Sequence, residues 1–553
     1  MTNQEIADIF DLLSKLMDIH GENSFKTKTY STAAYRIEKL PGALESMAPA
    51  SMGSVQGIGE AVSKKIQEIL STGKLGLLEE YLDKTPPGVV EMLSIKGIGP
   101  KKIAVLWKEL GAESIGELEY ACNENRLITL KGFGAKTQES ILKSIAFMRN
   151  NMGFYLWAEA EAFALQVKAQ LLQLYPRHKI ELTGDFRRQI LALASIAFVT
   201  DLGDAELRKA FDHNPDTTFE ANEQTLFVTV PNAPTLHFYF AAAEDFYKIL
   251  FTTTAAPAFA DAFATAYTFP AHAASEAEIF SYNALQYVEP ALRETAAILE
   301  TAGAHQLPKL IQPGDIKGII HSHSTWSDGV HTLEQMATAA RDKGYEYLVI
   351  SDHSQAAFYA NGLSPERIVM QHAEIDALNE KLAPFRIFKS IEADILHDGS
   401  LDYTPEVLAS FDLVIASVHS NLKMSEEKAM QRLLAAVANP FTTILGHPTG
   451  RLLLSREGYL VDHRRMIDTC VAHNVVIEIN AHPRRLDLDW SWIPYALQQG
   501  AMLSIDPDAH SIGGMDLVKY GVYAAQKGGL TASRNLSSMS LADFEAFLAQ
   551  RKQ

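Results

Sequence analysis

The sequence predicts a multidomain chain combining α+β and α/β segments: a helical N-terminal region, a mixed centre and a C-terminal distorted barrel of seven βα units. Three observations carry this. The pattern apolar-x-Gly-apolar-Gly recurs three times in the first 150 residues, each time leading into a helical period. Seven short β-rich runs alternate with helical stretches after residue 316. The stretch between is mixed, and 553 residues are too many for one ordinary domain.

Composition narrows the function classes. A chain that is 47% hydrophobic and 21% charged reads as globular. No apolar run reaches the length of a membrane span. The opening Met-Thr-Asn-Gln-Glu-Ile-Ala-Asp lacks a basic, apolar leader, so a cytoplasmic protein is expected. Cys122 and Cys470 are the only cysteines, which fits a reducing compartment and excludes a cysteine zinc cage. The net charge of −18 argues against a uniformly basic surface coating nucleic acid. It is uneven, however. Residues 1–150 carry 18 Lys and Arg against 19 Asp and Glu, and the remainder 31 against 48. Contacts with phosphate backbones are therefore expected near the N-terminus.

In residues 1–85, Ile6, Ile9, Phe10, Leu13 and Leu16 have helical spacing. The first repeat is Val55-Gln56-Gly57-Ile58-Gly59, with Lys64 and Lys65 close behind. In residues 86–150 the second is Ile95-Lys96-Gly97-Ile98-Gly99-Pro100-Lys101, and the third Leu130-Lys131-Gly132-Phe133-Gly134. These resemble helix-hairpin-helix motifs, in which glycines let backbone N–H groups approach a DNA phosphate at a helix N-terminus. Such contacts position a protein on the backbone without reading bases. The two regions resemble the 5′-phosphate-binding and fingers-like parts of family X DNA polymerases. That resemblance implies 5′-phosphate contacts at Lys26 and Tyr30. It places Lys65 where some relatives form a Schiff base with deoxyribose phosphate, although a solvated helix lysine accounts for it equally well.

Residues 151–300 resemble the palm and thumb of the same family, with departures. The palm run Gly-Ser-x-Arg-Arg appears as Gly184-Asp185-Phe186-Arg187-Arg188, but Ser195 and Ala197 stand where an Asp-x-Asp pair is expected. The strand-like Leu236–Phe240 carries no third acid, and Thr252-Thr253-Thr254-Ala255-Ala256-Pro257-Ala258 replaces the nucleotide-contacting segment. Asp185, Asp201 and Asp204 are nearby without restoring the pair. Two-metal phosphoryl transfer loses its support here. A degenerate nucleotidyltransferase-like palm that no longer polymerises is expected, followed by a linker at 301–315.

Residues 316–553 change period. The expected strands are Gly318–Ile320, Tyr347–Ile350, Ile387–Ile391, Leu413–Ala416, Thr443–Leu445, Val475–Ile479 and Met502–Ile505. Helical stretches such as Leu333–Lys343, Pro365–Leu382, Glu426–Ala438 and His463–His473 lie between them. Twelve of the 18 histidines fall in this region. His321 and His323 are one residue apart, so a regular strand would put both on one face. Further His and acidic residues follow the later strands, and residues at strand ends converge on one mouth of a βα barrel. The series His-x-His…Asp, Asp-His, Glu, His, Gly-His-Pro, Asp-Ala-His resembles the PHP (polymerase and histidinol phosphatase) domain.

The resemblance implies a site for two or three divalent ions, zinc or manganese with magnesium as an alternative. Its ligands would be His321, His323, Asp328, His353, Glu392, His419, His447, Asp508 and His510. His323 and His353 count also as catalytic, with Asp352 orienting a ligand and Arg451 holding a substrate phosphate; Arg456 and Lys423 are weaker candidates for that phosphate. Ile320 replaces an acid common before the first histidine. Glu478 and Asn480 are expected to make core hydrogen bonds. The expected function is a DNA-repair phosphoesterase, a 3′–5′ exonuclease or processor of abasic sites and 3′ ends. Its partner would be gapped, nicked or abasic DNA, bound by a monomer away from membranes, and the resemblance implies a bacterial, nucleoid-associated protein. Alternatives are retained gap filling, a non-catalytic DNA-end scaffold and a small-molecule phosphatase.

Overall fold

The computed structural model describes residues 1–40, 42–47, 52, 57–123, 127, 130–212, 215–231 and 233–551, without the side chains of 120, 149–151 and 359. Val55 and Gln56 of the first glycine repeat lie outside these. The chain forms two compact units, Met1–Met152 and Gly153–Gln553.

The first unit is helical. Helix Asn3–His20 opens on a capping box: the Thr2 hydroxyl accepts from Glu5 N–H at 3.2 Å, and Glu5 accepts from Thr2 N–H at 2.6 Å. Its stripe of Ile6, Phe10, Leu13 and Met17 is buried. The three glycine repeats fold alike. Gly57, Gly97 and Gly132 have φ of +90°, +91° and +88°, a region that favours glycine. Ile58, Ile98 and Phe133 point into the core. The second glycines then start helices: Gly59 and Gly99 cap Glu60–Thr72 and Pro100–Lys108, and Gly134 precedes Ala135–Asn151.

The second unit begins with helix Trp157–Leu174 against a five-stranded sheet. In spatial order its strands are Ile180–Thr183, Ser195–Thr200, Thr235–Phe240, Thr225–Thr229 and Thr218–Ala221. One face carries the core residues Ile196, Phe198, Leu236 and Phe238. The segment 301–315 is not a free linker. It starts inside helix Ala297–Gly303, and Ile311 is buried with its N–H donating to Leu530 O at 2.9 Å.

The barrel follows. Its strands are β1 (Gly318–Ser322), β2 (Tyr347–Ile350), β3 (Arg386–Asp394), β4 (Leu413–Ser417), β5 (Thr442–Leu445), β6 (Val476–Asn480) and β7 (Leu503–Asp506). They pair in parallel in chain order. The ends of β1 and β7 meet, with His323 N–H donating to Ala509 O at 2.9 Å and Ala509 N–H to His321 O at 3.1 Å, so the barrel is nearly closed. Helices cover the outside and side chains fill the inside, which is why the strands read as continuous β-branched runs. Phe544 of the C-terminal helix Leu541–Arg551 stacks on Tyr347 at 4.6 Å and joins the inner core. All seven expected runs are strands. β3 runs further than expected, to Asp394, so Glu392 lies within a strand and pairs with His353 across the mouth.

Candidate metal centre

Six of the seven strands deliver candidate side chains at or just past their C-terminal ends. His321 and His323 leave β1, His353 follows β2, Glu392 belongs to β3, His419 and His447 follow β4 and β5, and Asp508 and His510 follow β7. The two N-terminal histidines do not converge by regular alternation. β1 shifts register between Ile319 and Ser322, and His321 has φ +58°. His447 and Asp508 are also left-handed, at +21° and +52°. A non-glycine residue held there costs about 1–3 kcal/mol, a strain that collects at functional sites.

The side chains gather into three overlapping groups: His323, Asp328, His353 and His510; His321, His323 and Asp508; and His353, Glu392 and His419. Within each group the offered ligand atoms lie within 4.8 Å of one another. Glu392 is the hub. It lies 2.9 Å from His353 Nδ1, 3.0 Å from His419 Nε2, 2.9 Å from His447 Nε2 and 3.3 Å from His321 Nε2. Asp508 Oδ1 lies 3.1 Å from His323 Nε2 and 3.6 Å from His321 Nε2. Asp328 faces His510 at 3.4 Å and His353 at 3.7 Å.

Among the described residues, buried ring nitrogens here lack hydrogen-bond partners: His321 Nε2, His323 Nδ1 and His447 Nδ1. Leaving such atoms unsatisfied costs about 1–3 kcal/mol each. Lone pairs of imidazole and carboxylate converging in this way suit divalent cations. Burial opposes ionisation of Glu392, but His419, His321 and His353 outweigh it and hold the carboxyl well below its usual range. Asp508 is likewise kept ionised against burial, chiefly by His321. Burial, with His510 and His353, pushes His323 down to about 3, leaving a neutral ring.

A further layer of acids orients the rings. Glu478 sits 2.5 Å from His321 Nδ1 and accepts the backbone N–H of His447 at 2.5 Å. Asp394 meets His419 Nδ1 at 2.8 Å. Such partners fix tautomer and ring orientation. Glu478 thus acts on the cluster, beyond the core hydrogen bonding expected from sequence. Asn480 reaches Asp508 at 3.2 Å.

Three sequence expectations need correcting. Asp352 orients no ligand directly. It accepts from the backbone and hydroxyl of both Ser324 and Ser327, and from Gln371, and so organises the loop that carries Asp328. Arg451 is not free to hold phosphate, because it bonds the carbonyls of Arg485 and Leu486 and pairs with Asp489 at 2.6 Å. Tyr30 is a core residue, 7% exposed, with its ring stacked on Phe10 at 6.0 Å. Arg456 bonds only its local turn at Gly450 O, while Lys423 is exposed. A cation that does lie beside the cluster is Arg485, 3.6 Å from Asp508, on the loop after β6 that also carries His482. The run Asn480-Ala481-His482-Pro483-Arg484-Arg485 was the available signal: polar and basic residues directly after an apolar strand.

On the palm sheet Ser195 pairs with Thr235 and Ala197 with His237, and all four share the face opposite the core. His237 lies between Phe227 at 4.0 Å and Tyr239 at 4.1 Å, and burial pushes its ring down to about 4. Asp185 pairs with Arg188 at 2.5 Å and Asp201 with His178 at 3.1 Å. In the helical unit, a Cβ built on Gly59, Gly99, Gly132 or Gly134 meets no atom of the described residues within 4 Å. Gly59 and Gly99 have ordinary φ of −76° and −84°, so neither internal packing nor backbone strain requires glycine there. Lys26 and Lys101 are exposed and Lys65 half-buried, while Lys64 pairs with Glu60 at 2.9 Å.

Comparison with known proteins accords with this arrangement. Residues 1–75 match the family described as helix-hairpin-helix domain, and 89–146 the SAM-like helix-hairpin-helix tandem. The chain is 34% identical over 579 aligned positions to the DNA polymerase/3′-5′ exonuclease PolX of Bacillus subtilis, covering 99% of both proteins. It is 29% identical over 168 residues to a probable phosphatase of Caldicellulosiruptor saccharolyticus, covering 29% of this chain and 64% of that protein. A similar stretch, 26% identical over 170 residues, matches the probable phosphatase YcdX of Escherichia coli, with 29% and 62% covered. Glycine hairpins at one end, a palm-like centre and a histidine-rich barrel at the other therefore belong to one known architecture, and the chain is a member of the PolX family, the family X DNA polymerases with a C-terminal PHP domain.

Proposed function

We propose that this chain is a metal-dependent phosphoesterase of DNA repair that removes or trims 3′ ends, on a polymerase scaffold that no longer polymerises. The observation that carries the reading is the convergence of eight His, Asp and Glu side chains at one barrel mouth, joined by His447 at 2.9 Å from Glu392, with buried ring nitrogens left unbonded. Two or three ions fit, with Glu392 and Asp508 placed between groups. The many imidazoles favour zinc over magnesium, and the carboxylates of Asp328, Glu392 and Asp508 suit manganese. When bound, such ions acidify water and neutralise charge on a phosphate. Glu478 and Asp394 hold His321 and His419 in orientation, and Arg485 supplies a positive charge for a phosphate oxygen. The open second glycines would let DNA phosphates meet helix N-termini at three places, with gapped, nicked or abasic DNA as substrate.

Degradation of 5′-labelled DNA from its 3′ end with Mn²⁺ tests this. His323→Ala should abolish it, and a variant nuclease as fast as wild type would sink the site assignment. Metal analysis of the purified protein should find two or three bound ions.

Retained gap filling is the second reading, favoured by full-length similarity to a protein named as a polymerase. Against it stand Ser195, Ala197 and His237 where carboxylates are needed, and the pairing of Asp185 with Arg188. Primer extension in the His323→Ala background decides between them. No extension above background is expected.

A further inference from the structure

Three histidines of the cluster share one polarity. His321 and His419 turn Nδ1 toward the carboxylates of Glu478 and Asp394, and His510 turns Nδ1 toward Asp508 O at 2.9 Å. An acceptor at Nδ1 keeps the proton there and leaves the Nε2 lone pair for a cation. His482, on the loop after β6, has the opposite polarity. The backbone N–H of Arg484 donates to its Nδ1 at 3.2 Å, so that nitrogen is the acceptor and carries no proton. The proton of the neutral ring therefore sits on Nε2, which has no lone pair left for a metal. What this ring offers is a fixed N–H donor, and the group it suits is an oxygen.

The loop places that donor beside the cluster. Asn480 donates its amide to Asp508 Oδ2 at 3.2 Å and accepts the backbone N–H of His482 at 3.0 Å. Arg485 lies 3.6 Å from the same Asp508 oxygen. The turn that joins the two residues is held on both sides. Arg485 N–H donates to His482 O at 2.7 Å, and Ala481 N–H donates to Asp506 O of β7 at 2.7 Å. From the neighbouring loop, Arg451 bonds Arg485 O at 2.8 Å and Leu453 N–H donates to Arg484 O at 2.5 Å. Pro483 fixes a further backbone angle within the turn. Burial holds the His482 ring below the ordinary histidine range, opposed by Asp508 and helped by Arg485, His510 and Arg484.

Resting on the hydrolytic reading above, we propose that His482 is a phosphate-binding residue, its Nε2–H donating to a non-bridging oxygen of the 3′-terminal phosphodiester alongside Arg485. Arg485 brings charge, and His482 brings a directed hydrogen bond. An uncharged donor adds no repulsion toward the cations that the cluster would hold.

Three variants separate this role from two others. His482→Gln keeps an amide N–H at about the reach of Nε2. His482→Asn can still accept from Arg484 N–H, as asparagine does in turns, but stops short of the Nε2 position. His482→Ala does neither. On 5′-labelled single-stranded DNA with Mn²⁺, the Ala and Asn variants should lose about 10–100-fold in kcat/KM, and Gln should stay near wild type. Calorimetric titration of inorganic phosphate into the purified full chain should show Kd raised by a similar factor in Ala and Asn. Metal content should match wild type in all three. An Asn variant as fast as wild type would make the ring a turn-holding group, and loss of metal from Ala would make it a ligand. Either result overturns the proposal, as does a Gln variant as slow as Ala or an unchanged phosphate affinity in Ala. If wild type cuts no DNA, the hydrolytic reading fails, and the phosphate titration still decides His482.

Discussion

At the scale of the residue, the site depends on acids that touch no candidate substrate position. Glu478 is fully buried, bonds His321 Nδ1 and receives the N–H of His447, so it sets two rings that come from β1 and β5. Glu478→Gln keeps the shape and removes the charge. It should lower metal content at limiting metal, and activity by about 10–100-fold, measured by metal analysis and Mn²⁺-dependent nuclease rate. Glu276 is a second buried acid, held between Arg293 at 2.6 Å and Arg187. Burial opposes its ionisation, but Arg293 and Arg187 outweigh burial and hold its carboxyl below the usual glutamate range. A depressed folded-state pKa contributes stability that is present above the unfolded value, about 4.3, and lost as pH falls through the folded value. Glu276→Gln should therefore cost about 3–5 kcal/mol at pH 7, with the gap to wild type narrowing below about pH 4 in urea titrations.

Single elements carry the DNA contacts proposed for the helical unit. Gly99 caps Pro100–Lys108 with nothing near its missing Cβ. Gly99→Ala should lower Tm by only a few degrees, since an N-cap Gly→Ala change costs about 1 kcal/mol. DNA affinity should fall several-fold, read by anisotropy on gapped DNA. Equal affinity would mean that this hairpin does not approach the backbone. Element type was legible from sequence wherever period and punctuation agreed. Helix Pro365–Leu382 and strand Tyr347–Ile350 have the expected bounds, because Pro after Ser at a helix start and a β-branched run are local signals. The register break in β1 was not legible. It depends on β7 closing the ring beside it, a contact between residues nearly two hundred positions apart.

Across the second unit, the palm arginines have been drawn into a structural network. Arg188 bonds Thr254 O at 2.7 Å and Glu294 at 3.1 Å, while buried Lys527 of the barrel bonds Glu294 and Arg188 O. Arg187 bonds Glu276 and the Thr254 hydroxyl. Residues that resemble a nucleotide-binding run thus tie the palm to the thumb and barrel. Glu294→Gln leaves Lys527 buried without its counter-charge and should cost about 3–5 kcal/mol. The urea midpoint of the whole second unit should shift, because its parts share this network. Chelation should also lower its Tm, since ligand bound to the folded state stabilises it by mass action.

The sequence by itself announced the seven βα units, the glycine hairpins and the histidines and acids at the strand ends, from which the resemblance to the PHP domain picks nine candidate ligands. Each is announced by local chemistry: a β-branched run, a Gly-apolar-Gly turn, a histidine or acid just past a strand. Tertiary structure decided how those residues are used. Arg451, Asp352 and Tyr30 are of the right type at the right place in the chain, yet their partners are Asp489, the Ser324–Ser327 loop and Phe10. Arg485 and Glu478 are the groups found beside the cluster, against Asp508 and His321. Which polar group faces the site and which is tied to a neighbouring loop depends on contacts between distant segments, and no local pattern of residues encodes them.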